Sequence, residues 1–321
     1  MDKVSLVTLP TPLQPLNSIR ENQIYIKRDD LTGLMLGGNK TRKLEYFMQY
    51  ILEQKHNYVV TYGSTESNHC TATAAAAKRL NLPCTLILSK PEGDDARARD
   101  RNGNFMLYHL LGAEISWTNP GEVPQTIDAE MVRLSGKGYN PYFIPGGGHG
   151  VLGTKAYVEA YQEINAQCRN LDLKVDYIFL ASGTGTTQAG LVVGRKLLGG
   201  EESVIGISIA RKEPTGKKVI LDSISEYVRE FDLKINISDD DVAFVDGYVG
   251  KGYGDINPGI IETIKMMARN EGILFDPVYT GKAFWGMLDY LEKNGIQDRQ
   301  VLFIHTGGIP ILFNHSQEFF N

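Results

Sequence analysis

Cysteine is scarce in this chain of 321 residues. Cys70, Cys84 and Cys168 stand far apart and in no CxxC spacing, which excludes a disulfide framework and a structural zinc site and suits a reducing compartment. No apolar run approaches the roughly 18 residues of a membrane span. The opening MDKVSLVTLPTPLQPL lacks the basic-then-apolar layout of a signal peptide. Positive charge is in deficit as well: the formal net charge of −5 argues against nucleic acid as the main partner. These absences lead to the expectation of a cytoplasmic protein that binds neither nucleic acid nor membrane. With 42% hydrophobic and 22% charged residues, the chain has the make-up of a globular protein, long enough for two domains.

What is present is an alternation of strands and helices. IYIKRDD (24–30) reads as a strand running into a turn, followed by a helix starting near Lys40. NYVVTYG (57–63), PCTLILS, AEISWT, YIFLASG (177–183), SVIGISIA and VLFIHTGG (301–308) read as strands. Helices are expected over 67–80 with Ser67 as cap, over Arg97–Leu111, and over 124–136. Further helices fit TTQAGLVVGRKLL, 258–271 and 281–293, and the glycine-dense NPYFIPGGGHGVLG (140–153) reads as a crossing between domains. Strands separated by helices of this length predict an α/β fold with open, mostly parallel sheets, whose ligands sit at the carboxyl ends of the strands.

Three of those strand ends are rich in small residues. In SGTGTTQAG (182–190) a buried strand meets Gly183, Thr184, Gly185, Thr186 and Thr187 and then a helix, which makes a phosphate cradle out of backbone N–H groups and hydroxyls. No arginine or lysine lies within that loop, so it suits one terminal phosphate better than a triphosphate with magnesium. The second turn, LMLGGNKTRKLEY (34–46), seats Lys40 at the mouth of a helix. Gly33 and Gly38 have the Walker separation, but Asn39 is interposed before Lys40 and Thr41, so a P-loop is rejected. Covalent attachment of a carbonyl cofactor is the remaining chemical role. It needs a partly neutral amine, and Arg42, Lys43 and the helix N-terminus are placed to favour one. A lysine turn and a phosphate cradle are two of the anchors pyridoxal phosphate requires. Thr306, where VLFIHTGG opens into a glycine turn, is the candidate third anchor at the pyridine nitrogen.

The motifs IKRDDLTGLMLGGNKTRKLEY, ESNH, SGTGTTQAGLVVG, EGILFDPVYTGKAFWGML and LFIHTGG together resemble the 1-aminocyclopropane-1-carboxylate (ACC) deaminase and D-cysteine desulfhydrase family, pyridoxal phosphate enzymes of the tryptophan synthase β-type fold (fold type II). The likeness runs from about residue 8 to 313. It implies that Lys40 carries the cofactor, that Asn68 bonds the cofactor's phenolic oxygen, that Gly183 to Thr187 hold its phosphate and that Thr306 meets the ring nitrogen. A neutral hydroxyl there suits elimination better than transamination. The likeness also implies that Ser67, Tyr253 and Tyr279 act on the substrate, with Asn68 and His69 in contact with it. His305 is expected as a neighbour of the site and His149 as a loop histidine. Ser67 is equally placed to cap its helix, and the two tyrosines to serve as core aromatics.

Thr280 follows the second tyrosine where the deaminases carry glutamate, which favours loss of a thiol over opening of a cyclopropane ring. Glu66 and Thr71 depart from the family's glutamine and arginine, adding negative charge near the expected carboxylate pocket. The expectation is a homodimeric lyase with a large domain of residues 1–45 plus 151–321 and an inserted small domain of 46–150. It would act on a small amino acid, D-cysteine before ACC or another substrate of β-elimination or β-replacement. A ligand-binding protein that keeps the fold is the alternative, and the joint presence of Lys40, Asn68, the phosphate loop and Thr306 argues against it.

Overall fold

The long apolar runs form strands buried on both faces. The computed structural model describes residues 2–17, 19, 21–89 and 102–320. Its strands are β1 (Leu13–Pro15), β2 (Gln23–Lys27), β3 (Tyr58–Gly63), β4 (Cys84–Ser89), β5 (Glu114–Thr118), β6 (Pro141–Ile144), β7 (Tyr177–Ser182), β8 (Ser203–Ser208), β9 (Ala243–Val245) and β10 (Gln300–Ile304). Its helices are α1 (Asn39–Glu53), α2 (Asn68–Arg79), α3 (Gly103–Leu110), α4 (Val123–Gly136), α5 (Val151–Asn170), α6 (Thr186–Leu198), α7 (Thr215–Glu230), α8 (Pro258–Glu271), α9 (Thr280–Lys293) and α10 (Ile309–Asn314).

Two sheets result. One has the order β1-β2-β10-β7-β8-β9 and is parallel except where β1 meets β2; the other, β5-β4-β3-β6, is parallel throughout. The fold is thus α/β with open, mostly parallel sheets, and the four strands of the second sheet all fall between residues 58 and 144. The larger sheet has an apolar core on each face. Tyr157, Tyr161, Leu191 and Val192 lie on one side, and Phe179, Phe275, Phe284 and Phe303 on the other. Phe303 of β10 pairs with Ile26 and Phe179 on its two neighbours, and all three are fully buried. Each such side chain contributes about 1.5–3 kcal/mol of burial free energy. Helices α5 and α6 lie close because Gly190 and Gly194 face Tyr157 and Tyr161. A Cβ on Gly194 would stand 2.6 Å from the Tyr161 Cβ.

Several elements were not foreseen. The glycine-dense stretch contains β6, and behind it α5 runs for 20 residues. Helix α7 and the short elements β1, β9 and α10 were also not anticipated. Of the helix expected over Arg97–Leu111, the described part is Gly103–Leu110, and 97–101 lie outside the described residues. Helix α1 serves both sheets. Leu44, Phe47, Met48 and Ile51 join the core of the smaller sheet, while Arg42 packs among charged groups of β2 and α5. Among the described residues no helix is long and apolar enough to cross a membrane.

Candidate active site

The carboxyl ends of β3, β6, β7, β8 and β10 open on one cavity of about 450 Å³ between the sheets. This is where an open α/β sheet holds its ligand. Lys40, Ser67, Asn68, His69, Gly183, Thr184, Gly185, Thr187, Tyr253, Tyr279 and Thr306 all line it.

Lys40 owes its position to the turn before α1. Gly37 and Gly38 take left-handed φ values of 67° and 116°, which favour glycine. The Gly38 N–H donates to Asp29 O (2.8 Å) and the Asn39 N–H to Thr306 O (3.0 Å), so the helix start is fastened to the ends of β2 and β10. Asn39 faces both ways. Its Oδ1 accepts from Lys40 Nζ (3.0 Å) and its Nδ2 donates to Thr187 Oγ1 (3.0 Å). Burial pulls the Lys40 amine down to about 8, with Asp276 opposing.

The expected help from Arg42 is not there. Its guanidinium turns away into a buried network, bonding Asp29 (2.9 and 2.8 Å) and Glu163 (2.9 Å), and Lys27 and Tyr157 complete the cluster. Desolvation, not Arg42, makes the Lys40 amine available. Lys43 is fully buried and donates to Thr186 Oγ1 (2.7 Å) and Gly147 O (3.3 Å). Burial, and then Lys40, hold its ammonium well below its ordinary pKa.

The loop from Gly183 to Thr187 therefore has basic side chains beside it after all, brought by folding from outside the loop. Lys43 reaches Thr186, and Arg211 donates to Gly183 O. His149 Nδ1 donates to Thr184 O at 3.2 Å, so this loop histidine supports the cradle. Thr186 is wholly buried and taken up by Lys43, and of the three hydroxyls it is Thr184 and Thr187 that border the cavity.

Ser67 caps α2, accepting from the Cys70 N–H (3.2 Å), and lines the cavity too. His69 Nε2 lies 2.8 Å from Thr61 Oγ1, which itself donates to Ile144 O (2.7 Å). The threonine has spent its proton, so Nε2 carries the imidazole hydrogen and Nδ1 is a bare acceptor, buried with no partner among the described residues. Burial, then Lys40 and Lys43, push His69 down to about 3, so it is neutral. The hydroxyls of Tyr253 and Tyr279 meet at 2.7 Å. The outer face of the Tyr253 ring is exposed, but its hydroxyl end is inside the cleft, and burial raises the pKa of both phenols.

Three expectations about specificity change. Thr280 does not face the cavity: its Oγ1 donates to Asp276 Oδ1 (2.7 Å) and accepts from the Asp276 N–H (3.0 Å), closing the turn that aims Tyr279. Glu66 does not border it either, since its Oε1 accepts from Asn314 Nδ2 (3.0 Å) and its Oε2 lies 3.8 Å from His315. Thr71 donates to Asn104 Oδ1 at 2.6 Å. Glu66 does not line the cavity, yet its charge is felt there, adding to burial in raising the pKa of Tyr253. Sequence reading missed Asn39, Lys43, Arg211 and Asp276 as members of the site. The one linear signal was the i, i+3 spacing of Lys40 and Lys43 on α1.

These residues fit pyridoxal phosphate. The Ser182 Oγ and His69 Nδ1 are buried polar atoms of cavity-lining residues that have no hydrogen-bond partner among the described residues. Gly147 brings the chain so close to Thr184 that a Cβ would stand 2.8 Å from its Cγ2. No carboxylate among the described residues offsets Lys43, so an anion beside its loop would be matched.

Known proteins agree. The family described as pyridoxal-phosphate dependent enzyme matches residues 4–307. A D-cysteine desulfhydrase of Klebsiella pneumoniae (strain 342) is 37% identical, over 97% of this chain and 95% of its own. A crystal structure of an ACC deaminase homologue superposes with a TM-score of 0.89 at 35% identity, covering 99% of this chain and 95% of that one. A cavity that seats a half-buried lysine between a glycine- and threonine-rich loop and two tyrosines, in a chain matched along nearly its whole length, places the protein in the pyridoxal-phosphate dependent enzyme family.

Proposed function

We propose that the chain is a carbon–sulfur lyase acting on a small amino acid, with D-cysteine and water giving pyruvate, sulfide and ammonia. The observation that carries this reading is the half-buried Lys40 amine sharing one small cavity with the bonded hydroxyls of Tyr253 and Tyr279. The named activity of the Klebsiella relative supports it.

Pyridoxal phosphate, when bound, supplies the electron sink that lets the substrate's Cα–H bond break. The chain's own groups divide the remaining work. Lys40 would hold the cofactor covalently, and Asn39 Oδ1 accepts from its Nζ when the amine is free. Residues Gly183 to Thr187, with Lys43 behind Thr186, would hold the phosphate. Asn68 would bond the phenolic oxygen, and the neutral hydroxyl of Thr306 would meet the ring nitrogen. Lys40, with a pKa of about 8, is the group nearest to neutrality and suits the base. Tyr253 and Tyr279, kept protonated by burial, suit proton donation to the departing sulfur. Ser67 and His69 flank the substrate.

The same proposal includes a small domain of residues 46–150, a cytoplasmic location and a homodimer, which light scattering would check. The test of function is keto acid release from D-cysteine, L-cysteine and ACC by the cofactor-loaded protein. Pyruvate with sulfide from D-cysteine alone supports the reading. 2-Oxobutanoate from ACC would replace it with the deaminase, and no keto acid from any of the three would overturn both.

A further inference from the structure

Behind the Ser67–Asn68 turn stands α3, whose face carries Asn104 and Tyr108 one helical turn apart, both fully buried. The Tyr108 hydroxyl donates to Ser67 O at 3.0 Å. Asn104 makes three bonds. Its Nδ2 lies 2.8 Å from the backbone oxygen of Glu66 and 2.8 Å from Asn68 Oδ1, and its Oδ1 accepts from Thr71 Oγ1 at 2.6 Å.

Donor and acceptor identities around this amide are forced. Glu66 O is a carbonyl oxygen and can only accept, so the Asn104 atom beside it is the NH₂. That NH₂ can only donate, so the Asn68 atom it meets is the oxygen. The amide nitrogen of Asn68 is then the end left over on a cavity-lining side chain. The Thr71 hydroxyl, donating to the remaining Asn104 oxygen, closes the set with every proton assigned.

We infer that Asn104 is a positioning residue: it locks the Asn68 amide with its NH₂ toward the cavity, so that Asn68 serves as a hydrogen-bond donor to an anionic oxygen. This rests on the proposed contact between Asn68 and the cofactor's phenolic oxygen. Unlocked, an asparagine amide turns over at little cost and offers its oxygen as readily as its nitrogen, and an oxygen there repels the phenolate.

The test reads the visible absorbance of the bound cofactor and the pH at which that band titrates, with kcat and KM alongside. Asn104→Leu keeps the side chain's shape and removes all three bonds. Asn104→Ala serves if leucine does not fold. A donor to an ionised oxygen favours its ionised form, so Asn68→Ala should raise the midpoint by about one pH unit. Each Asn104 variant should raise it partway toward that value, and neither should add a further shift in the Asn68→Ala background. A shift in Asn68→Ala with wild-type spectra in both Asn104 variants, or a full additional shift in the double variant, would overturn the lock alone. A wild-type spectrum in Asn68→Ala would overturn the Asn68 contact itself, and the lock with it. A role confined to holding the fold together would lower the unfolding temperature of the cofactor-free protein and leave the band where it is, which also counts against the lock.

Discussion

The proposed function rests more on Lys40 than on any other single side chain, and its test is direct. Lys40→Ala should abolish the visible absorbance of the bound cofactor while the far-ultraviolet circular dichroism stays that of the wild type. A mutant that keeps the full band would sink the assignment. The pH dependence follows from burial. Only the neutral amine attacks a carbonyl, and the lysine is charged below its lowered pKa of about 8. Capture of pyridoxal phosphate by the cofactor-free protein should therefore rise about tenfold per pH unit up to about 8 and level off above it, as stopped-flow absorbance would show. A midpoint near the ordinary lysine value would mean that the amine is solvated. Lys40, Asn68 and Thr306 were legible in the sequence because each sits in a short local motif at the end of a strand. Asn39, Lys43 and Arg211 were not, since their roles depend on what lies opposite them in space. Reading Arg42 as a helper of Lys40 failed for the same reason. Two residues along α1 turn the side chain by about 200°, from the cavity at Lys40 onto Asp29 and Glu163 at Arg42.

The helix that presents Lys40 is held from below by that same charged cluster, so its geometry depends on side chains that never see the substrate. Replacing Arg42 by methionine leaves Asp29 and Glu163 buried with one cation, Lys27, between them. The cost should be about 3–5 kcal/mol in urea unfolding of the cofactor-free protein. Wild-type stability in Arg42→Met would show that the network is dispensable. The seam between α5 and α6 is equally exacting. Gly194→Ala places a Cβ 2.6 Å from that of Tyr161, and the overpacking should cost roughly 1–3 kcal/mol in the same measurement. Helix α5 is also where sequence reading fell short. Its buried face includes Gly153, Thr154, Tyr157 and Tyr161, which blur the apolar period that identifies a helix. The strands were easier, because β7, β8 and β10 are buried on both faces and show as nearly unbroken apolar runs. β6 escaped notice because its four residues are followed at once by glycines that signal a turn.

The cavity draws its walls from both sheets, so a ligand there ties the two together and should stabilise the protein as a unit. At a concentration 100 times its dissociation constant, a ligand that binds only the folded state adds about 2.7 kcal/mol. The alternating pattern of strands and helices made this architecture and the location of its cavity readable in advance, but not the charge balance around it. Lys43 defines that balance. In the cofactor-free protein it is a buried amine near Lys40, bonded to Thr186 and Gly147, with no carboxylate among the described residues to offset a charge on it, so burial favours its neutral form. Charging it is costly until an anion arrives. Lys43→Met keeps most of the volume and removes the amine. It should leave the unfolding temperature of the cofactor-free protein unchanged or higher, while cutting the rise on adding pyridoxal phosphate by more than half. Because a lysine with a depressed pKa destabilises the folded state most where it is forced to be charged, the gain in the cofactor-free variant should grow as pH falls. Scanning calorimetry with and without the cofactor separates the outcomes. Equal loss of stability in both forms would make Lys43 a packing residue, whereas opposite signs would show that the molecule holds an amine that becomes favourable to charge only beside an anion.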